Sequence, residues 1–376
     1  AVWFESHGGV AQQAEVLPGG DRRHAAQDDD EQRRVEQAAM PDPARCAEAV
    51  DQAAEARAIT SAMRVLTDPA ETGAVTISLP QDVQAEAHDW PEAFFVPRVW
   101  RIRRPAPDAA ELADAAAMIR AAKAPVVICG GGVIYSGAED ALDAFATRFN
   151  IPVVETQAGK SALAQDHPMN FGAAGVDGSA AANAALRAAD LVVAVGTRLQ
   201  DFTTGSRTLF PQARLLGINV AAHDAAKQGG VGLVADARVA LQVLSAELGD
   251  LRFDAADPQA RAGWLAAVDA HCGKPADGLP TDAQVIGAVQ AAAPDGIAMC
   301  AAGTMPGALK LLWQASRHGY HMEYGYSCMG YEIAGGLGVT LVSDLGLTLL
   351  PPGVDVIPLD EPILRTVSIA QRASST

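Results

Sequence analysis

Between residues 108 and 250, short apolar runs alternate with stretches whose apolar positions fall three and four residues apart. Asp108 with Glu111 three positions on reads as a capping box, and Leu112, Ala115, Ala116 and Ile119 supply one helical face. The run Pro125-Val126-Val127-Ile128-Cys129 then has strand character and flows into Gly130-Gly131-Gly132. Ser136 with Glu139 repeats the capping-box spacing, and Leu142, Phe145 and Phe149 repeat the helical face. A second strand is expected at Pro152-Val153-Val154-Glu155, and further apolar runs stand at 191–195, 215–220 and 232–234, separated by helix-compatible sequence. This alternation predicts an α/β, multi-domain chain with doubly wound parallel sheets, the clearest domain spanning 108–250.

The flanks carry weaker patterns. Residues 1–58, with the run Asp28-Asp29-Asp30-Glu31, show no clean strand period and stay unassigned. A helical stretch with Ala62, Met63, Val65 and Leu66, a turn at Asp68-Pro69 and a strand-like run from Ala74 to Leu79 make 59–90 the close of an α/β unit. Pro91, Pro97, Pro105 and Pro107 mark 91–107 as a linker, and 251–279 reads as a spacer. Thr281 and Gln284 cap a helix through Val285, Ile286 and Val289, and the strand Ile297-Ala298-Met299-Cys300 opens a third unit, 280–339. Beyond 340 the pattern degrades into a Leu/Pro-rich and Ser/Thr tail, also unassigned.

Charge narrows the classes. Against 45 Asp+Glu stand 28 Lys+Arg, a net charge of −17 that repels a phosphate backbone, so nucleic acid is not an expected partner. With 49% apolar and 19% charged residues the chain has a folded, globular composition. The five cysteines are scattered without a CxxC pair, which predicts a reduced, cytoplasmic setting. No uninterrupted apolar run is long enough to span a membrane, and no basic leader opens the sequence.

Chemistry is expected where strands run into helices. Gly130-Gly131-Gly132 is either a plain turn or a ligand loop; Tyr135 breaks the GxGxxG spacing, and Glu155 is the one acid at the second strand's end. Arg198 and Asp201 follow the 191–195 run, where open sheets bind ligands, unless they pair with each other. Gly303-Thr304-Met305-Pro306-Gly307 offers main-chain donors for a diphosphate. In the small-residue segment 328–338, spacing alone makes Met329 a core residue, with His321, Glu323 and Glu332 nearby as titratable groups. GxSxG, HExxH and P-loop words are absent from the sequence.

Several long words resemble thiamine diphosphate enzymes of the acetolactate synthase and pyruvate oxidase superfamily. The segment Gly73-Ala74-Val75-Thr76-Ile77-Ser78-Leu79-Pro80-Gln81-Asp82-Val83 is similar to the strand closing the pyrimidine-binding domain, 124–220 to the central domain, and 327–338 to the start of the diphosphate-binding domain. Residues 62–73, 155–161, 196–206 (GTRLQDFTTGS) and 321–336 (HMEYGYSCMGYEIAGG) look closer still to a branch that hydrolyses a cyclic trihydroxy-dione in myo-inositol catabolism. The resemblance, over roughly 59–339, implies thiamine diphosphate and Mg²⁺ as cofactors, a cyclic polyol diketone as substrate, and carbon–carbon bond cleavage completed by water to a deoxy-glucuronic acid. It further implies homo-oligomers and a cofactor contact set of Gly303, Thr304, Met305, Cys328, Met329 and Gly330, with Met329 as the apolar wedge that bends the cofactor.

The same comparison finds departures. Nothing in 1–58 matches the family's activating Glu, and the Mg²⁺-binding GDG followed by Asn-Asn is missing; the asparagines are Asn150, Asn170, Asn183 and Asn219. No catalytic residue and no metal ligand is therefore nominated. Truncation or a frame shift at each end would produce such abrupt losses of resemblance. Two other readings stay open: a non-catalytic α/β nucleotide-binding or interaction module, and an acetolactate-type carboligase.

Overall fold

The computed structural model of the chain describes residues 2–4, 46–48, 52–78, 81–85, 87, 89–273, 279–301, 303–323, 328–333 and 335–336. They fall into two units, Ala1–Arg103 and Arg104–Thr376.

In the first unit, strand β1 (Val2–Phe4) pairs antiparallel with β3 (Val75–Ser78), whose other edge takes β2 (Cys46–Glu48) in parallel. Helix α1 (Gln52–Leu66) is the crossover between β2 and β3, so the α/β unit expected from residue 59 begins earlier, inside the stretch without a legible pattern. Its end is the expected turn: Asp68 Oδ1 accepts from the amides of Ala70 and Glu71 at 2.9 and 2.7 Å. A short helix α2 (Gln81–Gln84) follows.

The second unit is built on six parallel strands: β4 (Pro125–Cys129), β5 (Val153–Glu155), β6 (Asn170–Ala173), β7 (Leu191–Val195), β8 (Arg214–Asn219) and β9 (Val231–Val234). Their order is β6-β5-β4-β7-β8-β9, so the winding reverses at β4. Alternate β4 residues feed opposite cores. Val127 and Cys129 pack with Ile119, Phe145, Phe149 and Leu241, and Val126 and Ile128 with Leu186, Trp264 and Val268. The first layer comes from α3 (Ala109–Arg120), α4 (Gly131–Tyr135), α5 (Glu139–Phe149) and α9 (Ala237–Leu248). The opposite core receives α6 (Ala180–Ala188) and α10 (Pro258–Cys272). Short helices α7 (Asp201–Thr204) and α8 (Ala222–Ala225) cap strand exits. The doubly wound expectation is met.

Helix α11 (Asp282–Ala292) starts at the expected capping box, with both the Thr281 and Gln284 bonds made. A parallel pair, β10 (Ala298–Cys300) and β11 (Tyr320–Met322), is bridged by α12 (Met305–Leu312).

Four local expectations change. Asp108 does cap α3, but Glu111 reaches away and accepts from Val234 N at 2.8 Å, tying the helix to the edge strand. Ser136 ends α4 by donating to Gly132 O at 2.6 Å, while Glu139 faces His318 at 3.5 Å; the second capping box does not form. The spacer contains α10, whose start was signalled by the Asp257 cap and Pro258 in the first turn. Strand β6 was illegible because it carries Asn170 and Gly172, the latter at φ 86° with Trp264 packed where a Cβ would stand. The tail from 340 lies outside the described residues.

Three glycines set the crossing of the β4 and β7 exits. Gly130 N donates to Val195 O at 2.8 Å and Gly132 N to Gly196 O at 2.9 Å. A Cβ on Gly130 would meet Gly196 O at 2.2 Å, and one on Gly132 would meet Gly196 Cα at 2.6 Å. The glycine run is thus a packing joint.

Gly130→Ala is expected to destabilise the chain by about 1–3 kcal/mol or more through overpacking. Gly263→Ala, on the exposed side of α10 with nothing within 4 Å of the new methyl, is expected to stabilise it by about 0.5–1 kcal/mol. Denaturant unfolding of the two variants reads both signs.

Candidate functional site

At the carboxyl edge of the sheet, the loops after β5, β6 and β7 and the first turns of α12 surround a cavity of about 910 Å³. This is where an open α/β sheet presents loops to a ligand. The β4 loop contributes no lining residue, because its glycines lie against Gly196.

The floor is polar and buried. Gln157, 8% exposed, donates from Nε2 to Pro306 O at 3.0 Å, while its buried Oε1 has no hydrogen-bond partner among the described residues. Lys310 donates from Nζ to Ala174 O at 2.6 Å, and burial lowers its pKa to about 8. The rim holds Asp177, Asp201, Arg207 and Lys227, with Phe202 as its exposed apolar member. Lys227 Nζ donates to Arg198 O at 2.7 Å and Arg207 to Gln228 O at 2.9 Å, which fastens the β7 loop to the segment after α8.

Behind the floor lies a buried pair. Glu155 Oε1 accepts from Ser161 N at 3.2 Å and Asn170 Nδ2 at 3.1 Å. Its Oε2 faces Lys160 Nζ at 3.9 Å, too long for a hydrogen bond, and neither atom has a hydrogen-bond partner among the described residues. Burial outweighs their attraction, raising the Glu155 pKa and lowering that of Lys160, so both lean toward the neutral form. Lys160 Nζ also lies 5.8 Å from the centre of the Tyr320 ring, linking the sheet to β11.

Of the residues singled out in the sequence, Gly303 lines the cavity at φ 84°, and Thr304 and Met305 open α12. Asp201 lines it too; Arg198 is exposed, and among the described residues no ion pair joins the two. Met329 is 88% exposed, not a core residue. It stands in a turn held by carboxylates: Glu323 Oε2 accepts from Cys328 N, and Glu332 accepts from both Gly330 N and Ala301 N, at 3.0 to 3.1 Å. Tyr331 Oη lies 2.7 Å from His321 Nε2. Among the described residues no group of three His, Cys, Asp or Glu could hold a metal ion. Gln157, Asp177 and Lys310 were not anticipated, though a lone lysine among Ala308, Leu309, Leu311 and Leu312 was a readable signal.

Residues 112–244 match the thiamine pyrophosphate enzyme central domain. The chain is 45% identical over 311 residues to 3D-(3,5/4)-trihydroxycyclohexane-1,2-dione hydrolase of Geobacillus thermodenitrificans (strain NG80-2), covering 76% of this chain and 49% of that protein. It is 43% identical over 319 residues to the protein of that name from Clostridium perfringens (strain ATCC 13124) and 44% over 318 residues to that of Bacillus thuringiensis (strain Al Hakam), with the same coverage of 76% and 49%. The chain spans about half the length of the curated relatives it matches. The resemblance read from its words is borne out.

Lys310 gives a pH-dependent stability difference. Its folded pKa of about 8 lies below the 10.5 of a free lysine, so the charged form is the one penalised by folding. As pH rises through about 8 toward 10.5, the folded protein releases this proton before the unfolded chain does, and stability rises. Urea unfolding across that window is expected to show this gain in the wild type, relative to Lys310→Met.

Proposed function

We propose that this chain, built around a thiamine pyrophosphate enzyme central domain, acts as part of a thiamine diphosphate-dependent hydrolase of trihydroxycyclohexane-1,2-dione. It would cleave a carbon–carbon bond of that cyclic polyol diketone, opening the ring to 5-deoxy-glucuronate in myo-inositol catabolism. One observation carries the reading: the similarity to hydrolases of that name extends over 76% of the chain, well beyond the central domain at 112–244. Mg²⁺ dependence of the whole enzyme, homo-oligomers and a cytoplasmic setting belong to the same reading. Among the described residues no helix is long and apolar enough to cross a membrane.

The described residues fit the cofactor in part. Met329, almost fully exposed beside Gly330 at φ 93°, offers the apolar projection a bent cofactor needs, and residues 303–305 lead into α12 with open space around Gly303. The Mg²⁺-diphosphate end does not fit them: they hold no metal-ligating cluster, and the sequence carries no GDG word. The reading therefore assigns binding and shape to this segment, and no step of the reaction.

Calorimetric titration of thiamine diphosphate into the purified chain, with and without Mg²⁺, is expected to show saturable binding that Mg²⁺ does not strengthen. A folded chain that neither binds the cofactor nor opens the ring overturns the reading. Met329→Ala is expected to weaken cofactor affinity about tenfold, the equivalent of roughly 1.4 kcal/mol. Its stability should stay within about 0.5 kcal/mol, since the side chain is at the surface. Unchanged affinity would remove Met329 from the contact set.

A further inference from the structure

Buried polar atoms in folded proteins are almost always matched, so an orphaned acceptor beside an underused donor is a chemical demand. The floor of the 910 Å³ cavity presents such a pair. Gln157 Oε1 is a buried acceptor without a donor among the described residues. Lys310 has three N–H groups and gives one to a neutral carbonyl, Ala174 O; among the described residues no carboxylate lies within ion-pair distance of it. The two are held in register by one helix. Gln157 is bound to the carbonyl of Pro306, and Pro306 and Lys310 stand four positions apart on one face of α12, about 5–6 Å between side-chain roots.

A ligand serving both must bring an anionic acceptor to the ammonium and a hydroxyl donor to the amide oxygen, both on the lining of the same cavity. The surroundings agree. Arg207 and Lys227 add positive charge at the mouth, and the Asp177 and Asp201 carboxylates can accept further hydroxyls. An anion without an O–H donor, such as acetate, would leave Gln157 unmatched, and a neutral polyol would leave the ammonium with Asp177 and Glu155 acting on it only from beyond ion-pair distance.

We infer that the cavity at the carboxyl edge of the sheet binds a small hydroxylated carboxylate, its carboxylate on Lys310 and a hydroxyl donated to Gln157 Oε1. The inference rests on the cavity alone and is read by binding, so it stands or falls separately from the activity proposed above.

The test is a calorimetric titration of D-glucuronate into the full chain at pH 7, in the absence of thiamine diphosphate. Saturable binding is expected, weakened at least about tenfold in Lys310→Met and in Gln157→Leu, a loss of roughly 1.4 kcal/mol for each contact. Acetate, which has the charge without the hydroxyls, and myo-inositol, which has the hydroxyls without the charge, should each bind at least about tenfold more weakly. A measurement on the unaltered protein guards against variants that fail to fold. Raising the pH from 7 to about 9.5 passes the Lys310 value of about 8 and should weaken glucuronate about tenfold; the titratable groups that act on Lys310 are Asp177, Lys160 and Glu155. No binding by the folded wild type, equal binding by both folded variants, a flat pH dependence, or acetate or inorganic phosphate binding as tightly as glucuronate would each overturn the inference.

Discussion

The carboxyl edge of the sheet is governed by how closely two strand exits can cross. Gly130 and Gly132 lie in backbone contact with Gly196, and a Cβ at Gly159 would stand 2.1 Å from Cys129 O. With no side chains at these crossings, the β4 exit is flat and turns at once into α4. The loops from β5, β6 and β7 can then stand around an open space above it. A single methyl at the joint would push apart the very loops that carry Gln157 and Asp201. Cavity and glycine joint are one construction, seen from two sides.

The buried titratable groups occupy the seam between this sheet and the β10–α12–β11 segment. Glu155 and Lys160 rise from the β5 exit, Lys310 comes from α12, and Tyr320 from β11. Ser161, at φ 73°, donates from Oγ to Tyr320 O and accepts from His318 N. Polar groups in a seam are costly unless matched: Gln157 Nε2, Ser161 and Lys310 Nζ are bonded across it, while Glu155 Oε2 and Lys160 Nζ find no hydrogen-bond partner among the described residues. The bonds across it give the two layers a unique register that apolar contact alone would leave less defined.

What could be read in the sequence follows what was periodic. The runs that became β4, β7 and the α3 and α5 faces each combined one period with a buried outcome, so pattern and packing agreed. Strand β6 escaped because its burial depends on a polar side chain: Asn170 is fully buried and feeds the carbonyls of Leu163 and Ala164 as well as Glu155. Capping-box spacing was a poor guide at Ser136 and Glu111, where long-range partners took the side chains. The cavity was half legible. Loops after strands pointed to its place, but the floor residues Gln157 and Lys310 acquire meaning only once α12 packs over β6. Met329 shows the opposite failure, since spacing alone suggested a core position for a side chain that is exposed.

The strand order β6-β5-β4-β7-β8-β9 also constrains how the sheet can be made. β4 is its first strand in the chain and lies in its interior. β5 adds to one edge of β4 and β6 to the edge of β5; β7 then takes the other edge of β4, and β8 and β9 follow outward. Every strand, in order of synthesis, meets an edge that is already present and still free, and none has to be wedged between two that have paired. A sheet made wholly of long-range parallel pairings, the slow kind to assemble, can therefore grow as the chain emerges from the ribosome, with no earlier pairing undone.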